Sequence, residues 1–539
     1  MRLQGHGGVL AVEVMKRWGA EYLFTLSGGH IFPIYDGCVK LGGIEIVDTR
    51  HEQTAAFAAE GYSKLTRKPG FVALTAGPGV TNGISAITTA HFNGSPLVVL
   101  AGRAPQARWG EGSLQEFDHI PVVRSVTKAA ATATSTAEIP KLLSFCVSEA
   151  LTPHRGPAFV DFPLDVLFVP GEADLDESLI LRGLSRATAG DSSSVVKALE
   201  GAERPVLVGG SDVYWDGAWE ALRALVERAR IPTFLNGMGR GCLPADHPLC
   251  FSRSRSLALK EADLVVVAGT PLDFRLNFGR FGGARVVHIA DHPDMLASHV
   301  ELVASAAGPL SEIFEEIAAG VRPCDRSEWI GRLQAEEESR REKDASEMAS
   351  ESKPIDARRV YGELRKRLER NAIVICDGGD FVSFAGRYID VFEPGCWMDP
   401  GPYGCLGTGP GYGLAAKLVH PDRQVVILFG DGAFGFSGID YDTLVRFDVP
   451  VVGILSNNGI WGLEKHPMRA LYGYDVAADL QAECRYDLVV EALGGHGEFV
   501  TDPSQLGPAI DRAFEAGKPA LVNVVTDPNQ VYPRSSNLA

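Results

Sequence analysis

The sequence predicts an α/β protein made of three doubly wound parallel-sheet domains. Three observations carry that reading. Short apolar runs end in glycine turns, as buried parallel strands do. Stretches with helical spacing separate those runs. The chain also holds 60 glycines among 539 residues, enough for many strand-to-helix turns, and at 45% hydrophobic and 22% charged it can bury several cores.

Residues 1–165 form the first expected domain. Strand-like runs at 44–48, 71–75, 96–101 and 157–161 alternate there with helix-like stretches. From 169 to 194 the chain turns acidic and reads as a loop. A middle α/β domain over 190–321 follows, with strands at 205–209, 264–269 and 284–290. Residues 328–351 are dense in Glu, Arg, Lys and Ser with few large apolar residues, which predicts an exposed helical linker or a solvated face. The last domain, 355–539, carries strands at 372–376, 424–429, 449–455 and 520–526. Between its second and third strands, Ile439, Leu444, Val445 and Phe447 fall at roughly helical spacing, so 436–448 predicts a helical crossover that makes those strands parallel.

Charge and cysteine usage narrow the class of function. A formal net charge of −17 argues against nucleic acid or an anionic membrane as the main partner, while a local basic pocket for an anionic ligand stays open. The N-terminus lacks the apolar core of a signal peptide and no run is long enough to span a bilayer, so a cytoplasmic location is expected. Nine cysteines contain no Cys-x-x-Cys pair, which favours buried thiols over a disulfide framework or a zinc site.

The most informative pattern is Gly430-Asp431-Gly432 followed, after 24 residues, by Asn457-Asn458. A lone Gly-Asp-Gly is an ordinary turn. Here, however, it ends one predicted parallel strand and the Asn pair ends the next. Ligands of parallel sheets sit beyond the carboxyl ends of the strands, so hard oxygen donors converge on one place. Magnesium takes such oxygens and completes its shell with phosphate and water, and glycines let backbone N–H groups approach a phosphate. The pattern therefore points to a magnesium diphosphate site.

At these residues the chain resembles the thiamine diphosphate (ThDP) enzymes, and its order of segments is similar to the pyrimidine-binding, central and diphosphate-binding domains of the acetolactate synthase, benzaldehyde lyase and oxalyl-CoA decarboxylase group. The resemblance covers essentially the whole chain and implies roles. Asp431, the Asn458 side chain and the Ile460 carbonyl would hold Mg²⁺, with Gly430, Gly432, Ala433 and Gly459 along the diphosphate. Gly379 and Asp380, after a predicted strand, would line the diphosphate or form a simple turn. Glu52, at the start of an alanine-rich helix and near a strand end, matches the glutamate that exchanges a proton with the aminopyrimidine ring; burial would raise its pKa and favour that exchange. Residues 75–82 resemble the family's glycine-proline-glycine loop, which brings Gly28, Gly77, Pro78 and Asn82 toward the cofactor. Residues 401–407 are similar to the segment in which Leu406 props the cofactor into its bent shape and the Gly404 carbonyl meets the pyrimidine amino group. A homodimer or homotetramer with shared active sites is also implied, acting on a small-molecule substrate.

The reaction is harder to read. Residues 430–438, 457–461 and 255–259 look most like 2-hydroxyacyl-CoA lyase, with Arg255 and, in the polar tail, Arg534 available for a CoA phosphate. Residues 269–274 depart from the Arg-Phe-Asp-Asp pattern of FAD-binding acetolactate synthases, so FAD is not expected. Residues 27–36 and 114–116 instead look like acetolactate synthase and benzaldehyde lyase, which would turn His30 and Gln115 toward substrate. Glu464, just past the metal loop, is a candidate acceptor for a substrate hydroxyl proton. The first expectation is cleavage of a 2-hydroxyacyl-CoA to an aldehyde or ketone plus formyl-CoA, reversibly. The alternative is an acetolactate synthase-like carboligase acting on pyruvate or other 2-oxo acids.

Overall fold

A computed structural model describes residues 2–174 and 188–532. It is an α/β fold with three six-stranded sheets. In the first, the spatial order is Glu45–Asp48, Tyr22–Thr25, Gly70–Leu74, Leu97–Arg103, Ala158–Pro163, Ala129–Thr132, and every pair is parallel. The last sheet runs Trp397–Met398, Ile373–Asp377, Val425–Gly430, Val452–Asn457, Ala520–Val525, His496–Val500, again all parallel. Numbered by their order in the chain, the strands of both sheets read 2-1-3-4-6-5. Each sheet thus has its reversal of strand order between its first and third strands, which is where such sheets open a ligand crevice. The middle sheet has five parallel strands, from Thr233–Leu235 across to Ala304–Ala307, and the short Ala189–Gly190 pairs antiparallel at its edge.

Three stretches differ from the sequence reading. Within 169–194, Pro170–Asp174 is a strand, paired antiparallel with Arg2–His6, and so ties the start of the chain to the end of the first sheet's unit. The crossover expected over 436–448 is broken into helix Asp431–Ser437, a single 3₁₀ turn Gly438–Asp440 and helix Tyr441–Arg446. The break aims the Asp440 carboxylate at the Arg50 backbone N–H (2.8 Å) and the Thr54 hydroxyl (2.6 Å).

The third is helix Ser327–Met348, mostly exposed as expected but docked along one face. Trp329, Ile330 and Leu333 pack into the core of the middle unit. Glu337 accepts the N–H groups of Arg253 and Ser254 at 2.8 and 2.9 Å, and the fully buried Asp344 pairs with Arg253 and Arg387. Charge density suggests solvent, and most of the helix meets it, but Glu337 and Asp344 are satisfied inside.

One helix contact joins the first and last sheets' units. Glu52–Thr66 lies against Gly409–Val419 so closely that a Cβ on Gly411 would sit 2.8 Å from that of Phe57. Lys64 is buried there between Glu60 (3.3 Å) and the Tyr412 hydroxyl (2.9 Å), which in turn donates to Glu60 at 2.8 Å.

Candidate active site

The first sheet's crevice lies beyond Thr25 and Leu74. Gly28 leads into a short turn carrying His30, which is buried, with Nδ1 3.4 Å from the Thr75 hydroxyl. Burial pushes the His30 imidazole below its usual pKa. A side chain at Gly28 has no room, since a Cβ would fall 2.3 Å from that of Thr75. After the neighbouring strand, Gly77 turns the chain at φ +59°, ψ −111°, and Pro78 opens helix Pro78–Phe92. Asn82, one turn on, donates its Nδ2 to Glu52 Oε2 at 3.0 Å. Glu52 is itself buried, at 7% exposure, as the first residue of its helix. Gln115 comes from the loop after Leu97–Arg103; its φ is +57°, and its Cβ would stand 3.1 Å from a Cβ on Gly77.

The last sheet's crevice gathers the metal motif. Asp431 is 3% exposed, and its two carboxylate oxygens accept the N–H groups of Gly432 (2.9 Å) and Gly459 (2.7 Å). Asn458 donates Nδ2 to Asp380 at 3.0 Å and accepts the Ile460 N–H at 3.2 Å. Burial pushes the Asp431 carboxyl up to about 6, despite those N–H groups, and raises Asp380 as well. Two carboxylates and an amide carbonyl crowded into a low-dielectric corner form a donor set suited to a hard divalent cation. The backbone is correspondingly thin: a Cβ on Gly432 would lie 2.4 Å from the Trp461 ring, one on Gly378 2.7 Å from Ala433, and Gly459 has φ +68°. Gly379, with Leu463 against it, and Gly430 complete the strand ends. These residues fit a magnesium-bound diphosphate. Asp380, the first residue of helix Asp380–Tyr388, accepts the Asn458 Nδ2 from across the crevice.

Between the two crevices runs the loop of Gly404, at φ +71°, and the half-buried Leu406. The Leu406 carbonyl accepts Gln53 Nε2 at 3.0 Å, next to Glu52 in sequence. Buried Asp377 takes the N–H groups of Gly407 and Gly409 at 2.9 and 2.8 Å, and its carboxyl is pushed up to about 7 by burial. Sequence reasoning missed Asp377; its signal was a carboxylate ending an apolar strand just before Gly378-Gly379. Also missed was His119, whose isolated position carried no motif.

Glu464 is exposed in the first turn of helix Gly462–Tyr472. Arg255 makes its hydrogen bonds within the middle unit. It opens helix Arg255–Glu261 in the middle unit and donates to Asn236 Oδ1 at 3.0 Å. Burial lowers its guanidinium to about 10, and no carboxylate among the described residues forms an ion pair with it. Arg534 lies outside the described residues; Tyr532, near their end, meets the Phe384 ring edge-on at 4.8 Å. No helix among the described residues is long and apolar enough to cross a membrane.

Comparison with known proteins matches three family models to the chain. They are the thiamine pyrophosphate enzyme N-terminal TPP binding domain over residues 6–122, its central domain over 192–317 and its C-terminal TPP binding domain over 377–524. The chain belongs to the thiamine pyrophosphate enzyme family. It is 52% identical over 538 residues to a Mycobacterium tuberculosis protein named acetolactate synthase large subunit IlvG, covering 99% of this chain and 98% of that one. A Mycobacterium bovis protein named probable acetolactate synthase matches equally well. The Caenorhabditis elegans protein named 2-hydroxyacyl-CoA lyase 2 is 34% identical over 96% of this chain and 89% of its own. The chain is thus a thiamine pyrophosphate (ThDP) dependent enzyme, with the two TPP-binding matches falling on the two sheets of identical strand order.

Proposed function

We propose that this enzyme is a ThDP- and Mg²⁺-dependent carboligase of the acetolactate synthase type, joining two 2-oxo acids with loss of CO₂. The observation that carries the reading is the 52% identity, spanning 99% of the chain, to a protein named acetolactate synthase large subunit. It displaces the lyase expectation, whose named relatives stand at 34% or below. With pyruvate as both substrates, two pyruvate anions and a proton yield acetolactate and CO₂. The donor's carboxylate-to-carbonyl bond breaks, and its carbonyl carbon bonds to that of the acceptor.

When bound, ThDP supplies a nucleophilic ring carbon and an electron sink. Glu52, steadied by Asn82, exchanges the proton of the aminopyrimidine ring, and the Gly404 carbonyl and the Leu406 side chain fix that ring's placement. Asp431, Asn458 and the Ile460 carbonyl hold Mg²⁺, while Gly379, Gly430, Gly432, Ala433 and Gly459 leave space for the diphosphate. Asp380 orients Asn458. His30, kept neutral by burial, and Gln115 meet the acceptor's carbonyl. Glu464 would take a hydroxyl proton only from a 2-hydroxyacyl substrate, since a 2-oxo acid carries none.

The domains of this reading are 1–165, 190–321 and 355–539, and the working form is a homodimer or homotetramer whose sites are shared between subunits. The exposed apolar side chains of Phe436, Ile439, Leu471, Tyr472 and Val476, on the last unit near its crevice, support an interface there. No flavin is included, because residues 269–274 lack the FAD-associated pattern.

A 2-hydroxyacyl-CoA lyase remains the second reading, favoured by one observation. The half-buried guanidinium of Arg255 has no carboxylate ion pair among the described residues, and a CoA phosphate would offset that charge. Purified protein with ThDP and Mg²⁺, supplied with pyruvate or a 2-hydroxyacyl-CoA, decides between the two. Acetolactate from pyruvate is expected; formyl-CoA without acetolactate would overturn the carboligase.

A further inference from the structure

The loop that carries Gln115 is tied down from beneath. His119 is fully buried and its Nε2 lies 3.0 Å from the backbone nitrogen of Gly77. Because Gly77 N–H can only donate, Nε2 must be the unprotonated ring nitrogen, and the proton sits on Nδ1. Nδ1 in turn lies 3.0 Å from Asp161 Oδ2, a fully buried acceptor. The same oxygen receives Arg103 Nη1 at 2.8 Å. Arg103 also reaches back to Asp118 Oδ1 with two hydrogen bonds of 3.1 Å, and stacks on Trp109 at 4.0 Å. One arginine therefore grips both the loop, at Trp109 and Asp118, and the carboxylate that sets the tautomer of His119.

What the histidine holds is a place where the backbone will not stay by itself. Gly77, at φ +59° and ψ −111°, and Gln115, at φ +57°, face each other across van der Waals contact, and only the glycine adopts such a conformation at no cost. Gly77 leads directly into the helix whose Asn82 is bonded to Glu52.

We propose that His119 is a positioning residue for the ThDP site, its Nε2 pinning the Gly77 turn, with Arg103 and Asp161 holding it in the one tautomer that can accept the Gly77 N–H. It touches neither cofactor nor substrate and acts through Gly77, Gln115 and the Asn82–Glu52 pair. The proposal rests on the ThDP role of that crevice and not on which substrate is used.

Two replacements of His119 separate this from a plain packing role. Glutamine places an acceptor oxygen near Nε2, whereas asparagine places polar atoms only near Nδ1. The expected result is that H119Q keeps the ThDP dissociation constant, measured by titration calorimetry with Mg²⁺, within about threefold, and that H119N weakens it by about tenfold or more, as loss of a buried hydrogen-bond partner does. D161N, which lets the imidazole turn its protonated nitrogen toward Gly77, should weaken it as H119N does. The double variant H119N/D161N should lose no more than either alone. Thermal melts of each variant accompany the titrations, and should H119N fail to fold, H119Q against D161N makes the same comparison. H119Q and H119N weakened alike, or D161N binding ThDP as the unaltered protein does, would overturn the proposal.

Discussion

Glu52 Oε2 and Asn82 Nδ2 are 3.0 Å apart, and this hydrogen bond joins the starts of two helices that follow different strands of the first sheet. A buried carboxylate with a neutral donor can gain or lose a proton without breaking an ion pair. The replacement E52Q keeps the shape and the Asn82 contact at its carbonyl oxygen but removes the exchangeable proton. Turnover should fall by about 10²- to 10⁴-fold, while ThDP affinity changes by less than about fivefold. Near-normal turnover in E52Q would dismiss the assignment.

Asp431 supports its loop through the Gly432 and Gly459 N–H groups, and under the proposed function would also offer an oxygen to Mg²⁺. D431N replaces one acceptor by an amide that faces an N–H group. Retained ThDP after desalting should fall to near zero in D431N, and in the unaltered protein after treatment with a chelator. Added Mg²⁺ should restore binding only in the latter. Full ThDP retention by chelated protein would count against a metal at this site.

Arg255 holds a half-buried guanidinium lowered to about 10 by desolvation, beside Arg240 and Arg275. R255M keeps the stem and removes the charge. We expect melting to move upward, because a desolvated charge without an ionic partner is lost on replacement by an apolar stem. Acetolactate formation from pyruvate should be unaltered. If instead the substrate is a CoA ester, its KM should rise about tenfold or more.

His154 reaches from the first unit to Asp291 (3.0 Å) and Asp212 (3.7 Å) in the middle unit. Burial alone would lower its pKa, but the two carboxylates outweigh burial and hold the imidazolium up at about 9; Asp212, desolvated beside Asp291, is pushed up to about 8. A histidine with a raised folded-state pKa contributes stability that is complete below its unfolded value of about 6.5 and is lost as pH climbs through 9. The raised Asp212 works in the same direction, since its ionised form is the disfavoured one in the fold. Melting temperature should therefore fall between about pH 6.5 and 9, and H154Q should flatten that slope. An equally steep decline in H154Q would place the effect elsewhere.

Strand positions in the sheets were largely legible, because a buried parallel strand is a continuous apolar run that ends in a turn. Pro205–Gly209 matches its expected bounds, and Val425–Gly430 differs by one residue at each end. Strands such as Ala129–Thr132 and His496–Val500 escaped notice: they are edge strands of small or polar residues, half exposed, with no apolar run to betray them. The docked stripe of the otherwise exposed helix Ser327–Met348 is illegible for the converse reason, since Glu337 and Asp344 look solvated until their buried partners are known. Residues with a local motif, among them Asp431, Asn458 and Gly77, could be picked out along the chain. Asp377, His119 and Asp440 could not, because each acts on a segment 30 to 390 residues away.

The shared 2-1-3-4-6-5 order means that one topology has been furnished twice. In its first use the crevice received an imidazole, an amide and one carboxylate with a neutral neighbour; in its second, a pair of carboxylates that call for a cation. Under the proposed function, proton exchange and charge neutralisation would fall to separate halves of the polypeptide, joined where Gln53 meets the Leu406 carbonyl and Asp440 meets Arg50 and Thr54.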